Sequence, residues 1–146
     1  MKNVASVNSY LANLALWNIK LHNLHFNVEG KSFKTIHEFL EDIYEEVFEY
    51  YDAVAELMKQ QDQIPNCCMK SYLETATMKE MASDIIPIKD ALTILVGDLK
   101  LMIDQAKQVR KEAEEEDNFL LANMMEDHVE YYTKQLWFTR SFLSEN

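Results

Sequence analysis

Residues that make turns are scarce in this chain of 146 residues, which contains only two glycines and two prolines. Leu, Glu, Ala, Met and Lys, in contrast, are abundant, and all of them favour helices. A chain with so little turn chemistry and such strong helix propensity is typical of an all-α protein. The length corresponds to one compact domain, which we predict to span residues 1–146.

Basic residues are also in short supply, since 14 Lys and Arg face 25 Asp and Glu and give a net charge of −11. Such an acidic surface repels nucleic acid and anionic membranes and attracts cations. No apolar run approaches the roughly 18 residues that span a bilayer. The first residues lack a charged leader followed by an uninterrupted apolar core, so the sequence predicts a cytoplasmic protein.

Cysteine occurs only as the adjacent pair Cys67 and Cys68. Neighbouring cysteines close only a strained ring, and two thiols alone make no metal site of the spaced-pair kind. The chain therefore has no disulfide framework. The pair is interpreted as two reduced thiols beside a loop, with a peroxide-sensitive spot as the alternative.

Two long helices are predicted in the first half of the chain. Helix A follows Asn3, its expected N-cap, and runs to about Asn27, with apolar residues along one face. Gly30 interrupts the helical pattern. Ser32 then caps helix B, which continues to about Gln61.

The second half is predicted to hold a long connection and two more helices. In chain order these are a loop at 62–68 that contains Pro65, a short helix at 69–75, and helix C from Ser83 or Asp84 to about Ala113, with Pro87 in its first turn. The acidic run 112–117 marks the turn into helix D, which ends near Leu143. The A–B and C–D connections are short, so each pair forms an antiparallel hairpin. Two hairpins joined by a long crossover, here with its own short helix, are typical of a ferritin-like four-helix bundle.

Two histidines and three acids have spacings suited to a metal site: His25, His37, Glu41, Asp52 and Glu56. On helix B, Glu41, Asp52 and Glu56 lie at roughly 40°, 60° and 100° around the axis from His37, all on one side. Yet His37 and Asp52 are separated by about 22 Å along that axis. Metal–ligand bonds of about 2.0–2.2 Å cannot bridge this distance. The residues of helix B therefore form two half-sites, the first with His37 and Glu41 and the second with Asp52 and Glu56.

The geometry of the hairpin places His25 with the first half-site. If the A–B turn lies near Lys31, His25 and His37 are equally far from it and face each other across antiparallel helices. A second copy of helix B, packed antiparallel about a two-fold axis near Glu46 and Val47, would bring His37 and Glu41 of one chain to the second half-site of the other. Mixed imidazole and carboxylate ligands suit Fe(II), Mn(II) or Zn(II). Acids four residues apart are also common on solvated helix faces, so spacing alone leaves both interpretations open.

The segment from Leu21 to Glu56 resembles the signature of the Dps family, the mini-ferritins named for DNA protection during starvation. The family pattern H-W-x-V-x-G-x-x-F-x-x-L-H, followed by a carboxylate four residues on and then by D-x-x-A-E, appears here as His25 to Gly30, Phe33, His37, Glu41, and Asp52 to Glu56. The segment WFTRSFL, residues 137–143, is similar to the end of the family's last helix. The resemblance covers most of the chain.

This resemblance implies a hollow homododecamer with ferroxidase sites at the two-fold axes. His25, His37 and Glu41 would come from one subunit, and Asp52 and Glu56 from its partner, as ligands and catalytic residues of a di-iron site. The family's chemistry implies oxidation of Fe(II), preferentially by hydrogen peroxide, and storage of ferric mineral in the cavity, which protects the cell from oxidative damage. Carboxylates stabilise Fe(III), and so few ligands leave positions open for peroxide.

The sequence departs from the family pattern at two positions. Phe26 stands where the family usually has Trp, which leaves Trp137 as a possible replacement for an oxidisable indole. Glu41 replaces the commoner Asp and is longer by one methylene group. Elsewhere, His22 is interpreted mainly as a non-ligand, with a transient iron-binding role as the alternative, and His128 is interpreted as structural.

Other features of the sequence have plainer interpretations. The methionines Met58, Met102, Met124 and Met125 are predicted to pack in the core. The acidic run at 112–117 is either a solvated turn or the lining of a pore through which iron passes.

Two functions other than a ferroxidase are alternatives for a chain of this kind. One is a nucleoid-associated structural protein that binds DNA, which the charge of −11 and the scarcity of basic residues before helix A and after Arg140 disfavour. The other is an ordinary ferritin with its di-iron site inside one subunit, which needs Glu-x-x-His pairs. The residues three before the four histidines are Ile19, His22, Lys34 and Met125, so no such pair exists.

Overall fold

Four long helices and one short helix make up most of residues 1–144, the part of the chain described by this computed structural model. In chain order the elements are α1 (Val4–Asn27), β1 (Val28–Glu29), α2 (Phe33–Gln60), α3 (Met69–Thr75), β2 (Ile86–Pro87), α4 (Ile88–Glu115) and α5 (Phe119–Leu143). The helices α1, α2, α4 and α5 correspond to the predicted helices A to D, and α3 is the predicted short helix. The all-α, ferritin-like prediction is therefore confirmed.

The helices pack as two hairpins around one core. α1 lies against α2, α4 lies against α5, and α3 packs on α1 within the crossover. The largest fully buried side chains are Trp17, Tyr10 and Tyr132. Met58, Met102 and Met125 are buried, and the half-buried Met124 packs against the core. The prediction that these methionines pack in the core is therefore confirmed.

The predicted start of helix C at Ser83 or Asp84 is wrong, because α4 begins at Ile88. A residue before proline is pushed out of the helical region, so Ile86 stays extended ahead of Pro87. Ile86 and Pro87 instead pair in parallel with Val28 and Glu29. This pairing joins the end of the crossover to the turn between α1 and α2, and sequence reasoning missed it because strands of two residues carry no periodic signal.

The predicted caps Asn3 and Ser32 stand at the expected positions but do not act through their side chains. Their backbone carbonyl oxygens accept instead, from the amides of Val7 and Ile36 respectively, each at 3.0 Å. By contrast, the side chain of Asn118 accepts from the amide of Leu121 at the start of α5. Within residues 1–144, no helix is both long and apolar enough to cross a membrane.

Gly30 is the residue that lets the chain turn from α1 into α2. Its φ of +153° is a conformation that side chains disfavour, and a Cβ there would lie 2.6 Å from Cδ1 of Ile88. Gly97, in contrast, lies within α4 with open space where a Cβ would be.

We expect opposite effects from alanine at these two glycines. Gly30→Ala should lower the free energy of unfolding by about 1–3 kcal/mol, because it forces a side chain into a strained backbone conformation. Gly97→Ala should raise it by about 0.5–1 kcal/mol through helix propensity. Thermal unfolding at matched subunit concentration measures both. Equal effects of the two substitutions would contradict the assigned role of Gly30.

Candidate metal centre

His25 and His37 face each other across the α1–α2 hairpin, as their equal distance from the turn predicted. Their rings stack with centroids 3.6 Å apart and planes 15° from parallel. Nδ1 of His25 lies 2.7 Å from the carbonyl oxygen of His37, and Nδ1 of His37 lies 2.8 Å from the carbonyl oxygen of His25. The carbonyl of His25 belongs to the last turn of α1, where backbone acceptors lack helical partners, so the exchange also caps that helix.

These reciprocal bonds determine which nitrogen of each ring carries the proton. A carbonyl oxygen can only accept a hydrogen bond, so each Nδ1 must donate. In the neutral rings, each Nε2 is then unprotonated and has a lone pair available for a metal. Backbone acceptors that hold the far nitrogen in this way are a common support for histidine ligands.

Glu41 completes a group of three possible ligands. One ligand atom from each of His25, His37 and Glu41 lies within 4.8 Å of the others. Nε2 of His25 and Oε1 of Glu41 are 3.8 Å apart, too far for a hydrogen bond. Two metal–ligand bonds of about 2.1 Å each can span that distance through one ion. His25 is buried while the Glu41 side chain is 42% exposed, so the group opens to the surface.

Two aromatic residues support this group: Phe33, which belongs to the family pattern, and Tyr44, which sequence reasoning did not single out. Phe33 stacks on His37 with centroids 5.0 Å apart, and Tyr44 meets His25 edge-on at 5.2 Å. The hydroxyl of Tyr44 points to Oε1 of Glu41 at a long 3.5 Å. Burial, and then the charge of Glu41, raises the pKa of Tyr44, which keeps its hydroxyl protonated and able to donate. Phe33 lies four residues before His37, and Tyr44 lies three residues after Glu41. Residues at these spacings are neighbours on a helix surface, so the spacings were the sequence signal that could have identified both contacts.

Asp52 and Glu56 lie elsewhere on α2, and both are exposed. Since α2 is a continuous helix from Phe33 to Gln60, the separation of about 22 Å from His37 stands. The fold therefore brings together three of the five predicted site residues within one chain and leaves the other two on the same helix face at a distance. That these two join the site of a neighbouring chain remains a prediction.

The other histidine of α1 near this group is His22. Its Nδ1 lies 2.7 Å from the carbonyl oxygen of Asn18, and its ring stacks on Tyr44 at 3.7 Å. Phe26 is 67% exposed with its ring 5.4 Å from His25. Trp137, the possible replacement indole, is exposed on α5 beside Phe138, and its described ring contacts include neither histidine of the pair.

His128 lies in the core, as its structural interpretation predicted. Nδ1 of His128 is 2.8 Å from the Tyr10 hydroxyl, which also bonds the Tyr132 hydroxyl, and the ring stacks on Tyr50 at 3.6 Å. Burial lowers the pKa of His128 to about 3, so the ring stays neutral and its Nδ1 shares a hydrogen bond with the Tyr10 hydroxyl.

Three residues of the acidic run at 112–117 contact neighbouring groups. Glu112 accepts from the Ser6 hydroxyl, Glu114 pairs with Arg110, and Glu116 accepts from the amide of Lys2.

Comparison with known proteins agrees with the helical fold. The family model of the ferritin-like domain matches residues 4–145. General stress protein 20U of Bacillus subtilis is 36% identical over 115 residues, which cover 75% of this chain and 79% of that protein. The DNA protection during starvation protein of Listeria innocua is 30% identical and covers 99% of this chain and 97% of its own length. The chain belongs to the Dps family of ferritin-like proteins.

The likeness extends to solved structures of the family. A Dps protein from Bacillus brevis superimposes with a TM-score of 0.92 at 30% identity, over 97% of this chain and 95% of that one. The hairpin that carries His25 and His37 is thus part of a fold that this Dps protein shares over nearly its whole length. Iron-related protection against stress is the general function that comes with membership.

Proposed function

We propose that this Dps-family protein is a ferroxidase that oxidises Fe(II), preferentially with hydrogen peroxide, and stores the ferric product as mineral inside a hollow oligomer. The observation that carries the proposal is the His25–His37–Glu41 group, with both Nδ1 atoms held by backbone and a carboxylate oxygen 3.8 Å from one Nε2. Iron is the substrate. The protein's residues bind and orient it.

The ligand set fits the proposed reaction. Imidazole nitrogen binds Fe(II) well, while carboxylate oxygen favours Fe(III), so a mixed set accommodates both oxidation states. Two Fe(II) ions would each give one electron to a hydrogen peroxide molecule, whose O–O bond breaks to yield two waters after uptake of two protons. Transfer of both electrons at one site avoids release of a hydroxyl radical. Tyr44, whose hydroxyl lies near Glu41, would orient that carboxylate.

The three residues alone leave the centre incomplete, which supports a shared site. Asp52 and Glu56 are exposed on the same helix, four residues apart. An antiparallel partner helix would bring them to the histidines, and a two-fold axis would make two equivalent centres in each pair of subunits. We infer assembly of such pairs into a homododecamer from the family to which the chain belongs. DNA binding is not proposed, because a net charge of −11 opposes contact with phosphates.

Fe(II) oxidation with two oxidants tests the proposal directly. We expect iron-free protein to oxidise added Fe(II) at least about tenfold faster with hydrogen peroxide than with dissolved oxygen, a difference in barrier of about 1.4 kcal/mol. Stopped-flow absorbance follows ferric iron, a spin trap detects hydroxyl radical, and size-exclusion chromatography shows whether iron travels with the oligomer. Spin-adduct yields equal to those of protein-free buffer, or iron that precipitates instead of eluting with protein, would contradict the proposal.

A further inference from the structure

A second cluster of reactive side chains lies in the crossover, where Cys67 and Cys68 precede α3. Both thiols are exposed. The hydroxyl of Tyr51, from α2, is 3.2 Å from Sγ of Cys67, and it also bonds the hydroxyl of Tyr72, from α3. A hydroxyl group from α3 and one from α2 thus form a series that ends at Sγ of Cys67.

The hydrogen bonds run toward Cys67 when its sulfur is ionised. A thiolate can only accept, so Tyr51 must donate its proton to the sulfur and must accept from Tyr72 in turn. Donors in series polarise one another, which strengthens the bond nearest the sulfur. Tyr72 is buried, and burial raises its pKa, so it remains a protonated donor. The hydrogen bond from Tyr51 makes the largest contribution to lowering the pKa of the Cys67 thiol, and Tyr72 adds a further contribution.

The neighbouring thiol of Cys68 has a plainer environment. Its Sγ lies 3.1 Å from the hydroxyl of Ser71, which lowers its pKa. An aliphatic hydroxyl is a weaker acid than a phenol and therefore a weaker donor, and among residues 1–144 no second hydroxyl bonds the Ser71 hydroxyl to polarise it. The two adjacent cysteines are thus a natural comparison within one chain, because they share exposure and differ in donors.

We propose that Cys67 is a hydroperoxide-reactive thiol, activated by the Tyr51–Tyr72 hydroxyl pair, and a site of sulfenic acid formation. The thiolate attacks one oxygen of the hydroperoxide, a sulfur–oxygen bond forms and the O–O bond breaks. The departing oxygen takes a proton from water and leaves as water or an alcohol. Sulfur is oxidised by two electrons and the hydroperoxide is reduced by two, so no further reactant is needed.

The surroundings suit a small neutral oxidant. Hydrogen peroxide carries no charge, so the protein's net charge of −11 does not repel it. Cys67 is exposed, which gives access to its sulfur, and neutral phenol donors stabilise the thiolate charge. This reactivity needs no iron. It is therefore separate from the proposed ferroxidase centre and can be tested without it.

The test uses the assembled, iron-free protein with hydrogen peroxide and dimedone, which traps sulfenic acids, followed by peptide mass spectrometry. In a Cys68→Ser background, the Cys67 adduct should form at the wild-type rate. In a Cys67→Ser background, labelling of Cys68 should be at least about threefold slower than labelling of Cys67 in the Cys68→Ser background. Tyr51→Phe should slow labelling of Cys67 about threefold, because the higher pKa reduces the thiolate fraction by more than the greater basicity of the remaining thiolate speeds its attack.

Two further variants distinguish the effect of losing a hydroxyl donor from the effect of general damage to the fold. Tyr72→Phe should slow labelling in the same direction as Tyr51→Phe. Tyr131→Phe, at a half-buried tyrosine of α5, is the matched control and should leave the rate unchanged. A pH titration of thiolate absorbance near 240 nm should show a higher pKa for Cys67 in Tyr51→Phe. Equal labelling of both cysteines, a rate insensitive to Tyr51→Phe, or the absence of any adduct in the assembled protein would overturn the proposal.

Discussion

Asp52→Asn is expected to lower the rate of peroxide-driven Fe(II) oxidation at least about 100-fold, the upper end of the losses seen when even the supporting contacts of metal ligands are removed. Asp52 is exposed and lies about 22 Å along α2 from His37. Within one chain it cannot touch iron held by the histidines, so a loss of this size requires a partner subunit. Stopped-flow absorbance at sub-stoichiometric iron is the measurement.

A mixing experiment shows whether the site is shared. Subunits carrying His37→Ala and subunits carrying Asp52→Asn are unfolded together and reassembled in equal amounts. About half of the pairs would then be mixed, and each mixed pair would hold one centre built from two intact halves and one with both halves damaged. The mixture should therefore recover about one quarter of the wild-type activity, although each variant alone has almost none.

The matched control is Asp104→Asn, which neutralises an exposed acid on α4 outside the proposed centre and should oxidise iron at the wild-type rate. An intrachain site predicts no recovery on mixing. Wild-type activity of Asp52→Asn alone would exclude the residue from the centre, even if the oligomer and the histidine group proved correct.

The second large effect is expected at the buried ion pair between α1 and α4. Nζ of Lys20 donates to Oδ1 of Asp98 at 3.1 Å, and lies 2.9 Å from Oδ2 without the alignment of a hydrogen bond. The two side chains are only 7% and 11% exposed. Asp98→Leu should lower the free energy of unfolding by about 3–5 kcal/mol, because it leaves the Lys20 ammonium buried without its partner. Thermal and guanidinium unfolding at a fixed subunit concentration measure the loss.

The double variant Lys20→Met with Asp98→Leu distinguishes charge burial from packing. Burial raises the pKa of Asp98 despite the opposing contact with Lys20, which indicates that desolvation outweighs the attraction. An apolar pair of similar volume should therefore recover stability to within about 1 kcal/mol of wild type or exceed it. A double variant as unstable as Asp98→Leu would show that shape, rather than charge, governs this contact.

The α1–α2 hairpin shows how much of the site could be predicted from sequence. Helical periodicity and the position of Gly30 sufficed to place His25 opposite His37, because an antiparallel hairpin has one register once its turn is known. They did not show that each ring bonds the other's backbone, which depends on side-chain rotamers. Nor did they identify Tyr44, since its role follows from three contacts of which only the one with Glu41 is local in sequence.

The crossover shows where sequence reasoning fell short. Pro87 was expected within the first turn of a helix, a position that proline tolerates, but here it precedes the helix and lies in a strand. The partner strand, Val28–Glu29, is far away in the sequence, and such non-local pairing leaves no local pattern. Cys67 posed the same difficulty, because the sequence predicted reduced thiols beside a loop and gave no sign of the contact with Tyr51 or of its hydrogen bond to Tyr72.

The reciprocal bonds between His25 and His37 make ligand geometry part of the folding equilibrium. The rotational freedom of both imidazoles is already lost when the hairpin forms, so an arriving ion need not order them. Hairpin stability and metal affinity are then thermodynamically linked. A substitution that loosens the turn, such as one at Gly30, would weaken affinity without touching a ligand, and saturating metal would raise the melting temperature by mass action.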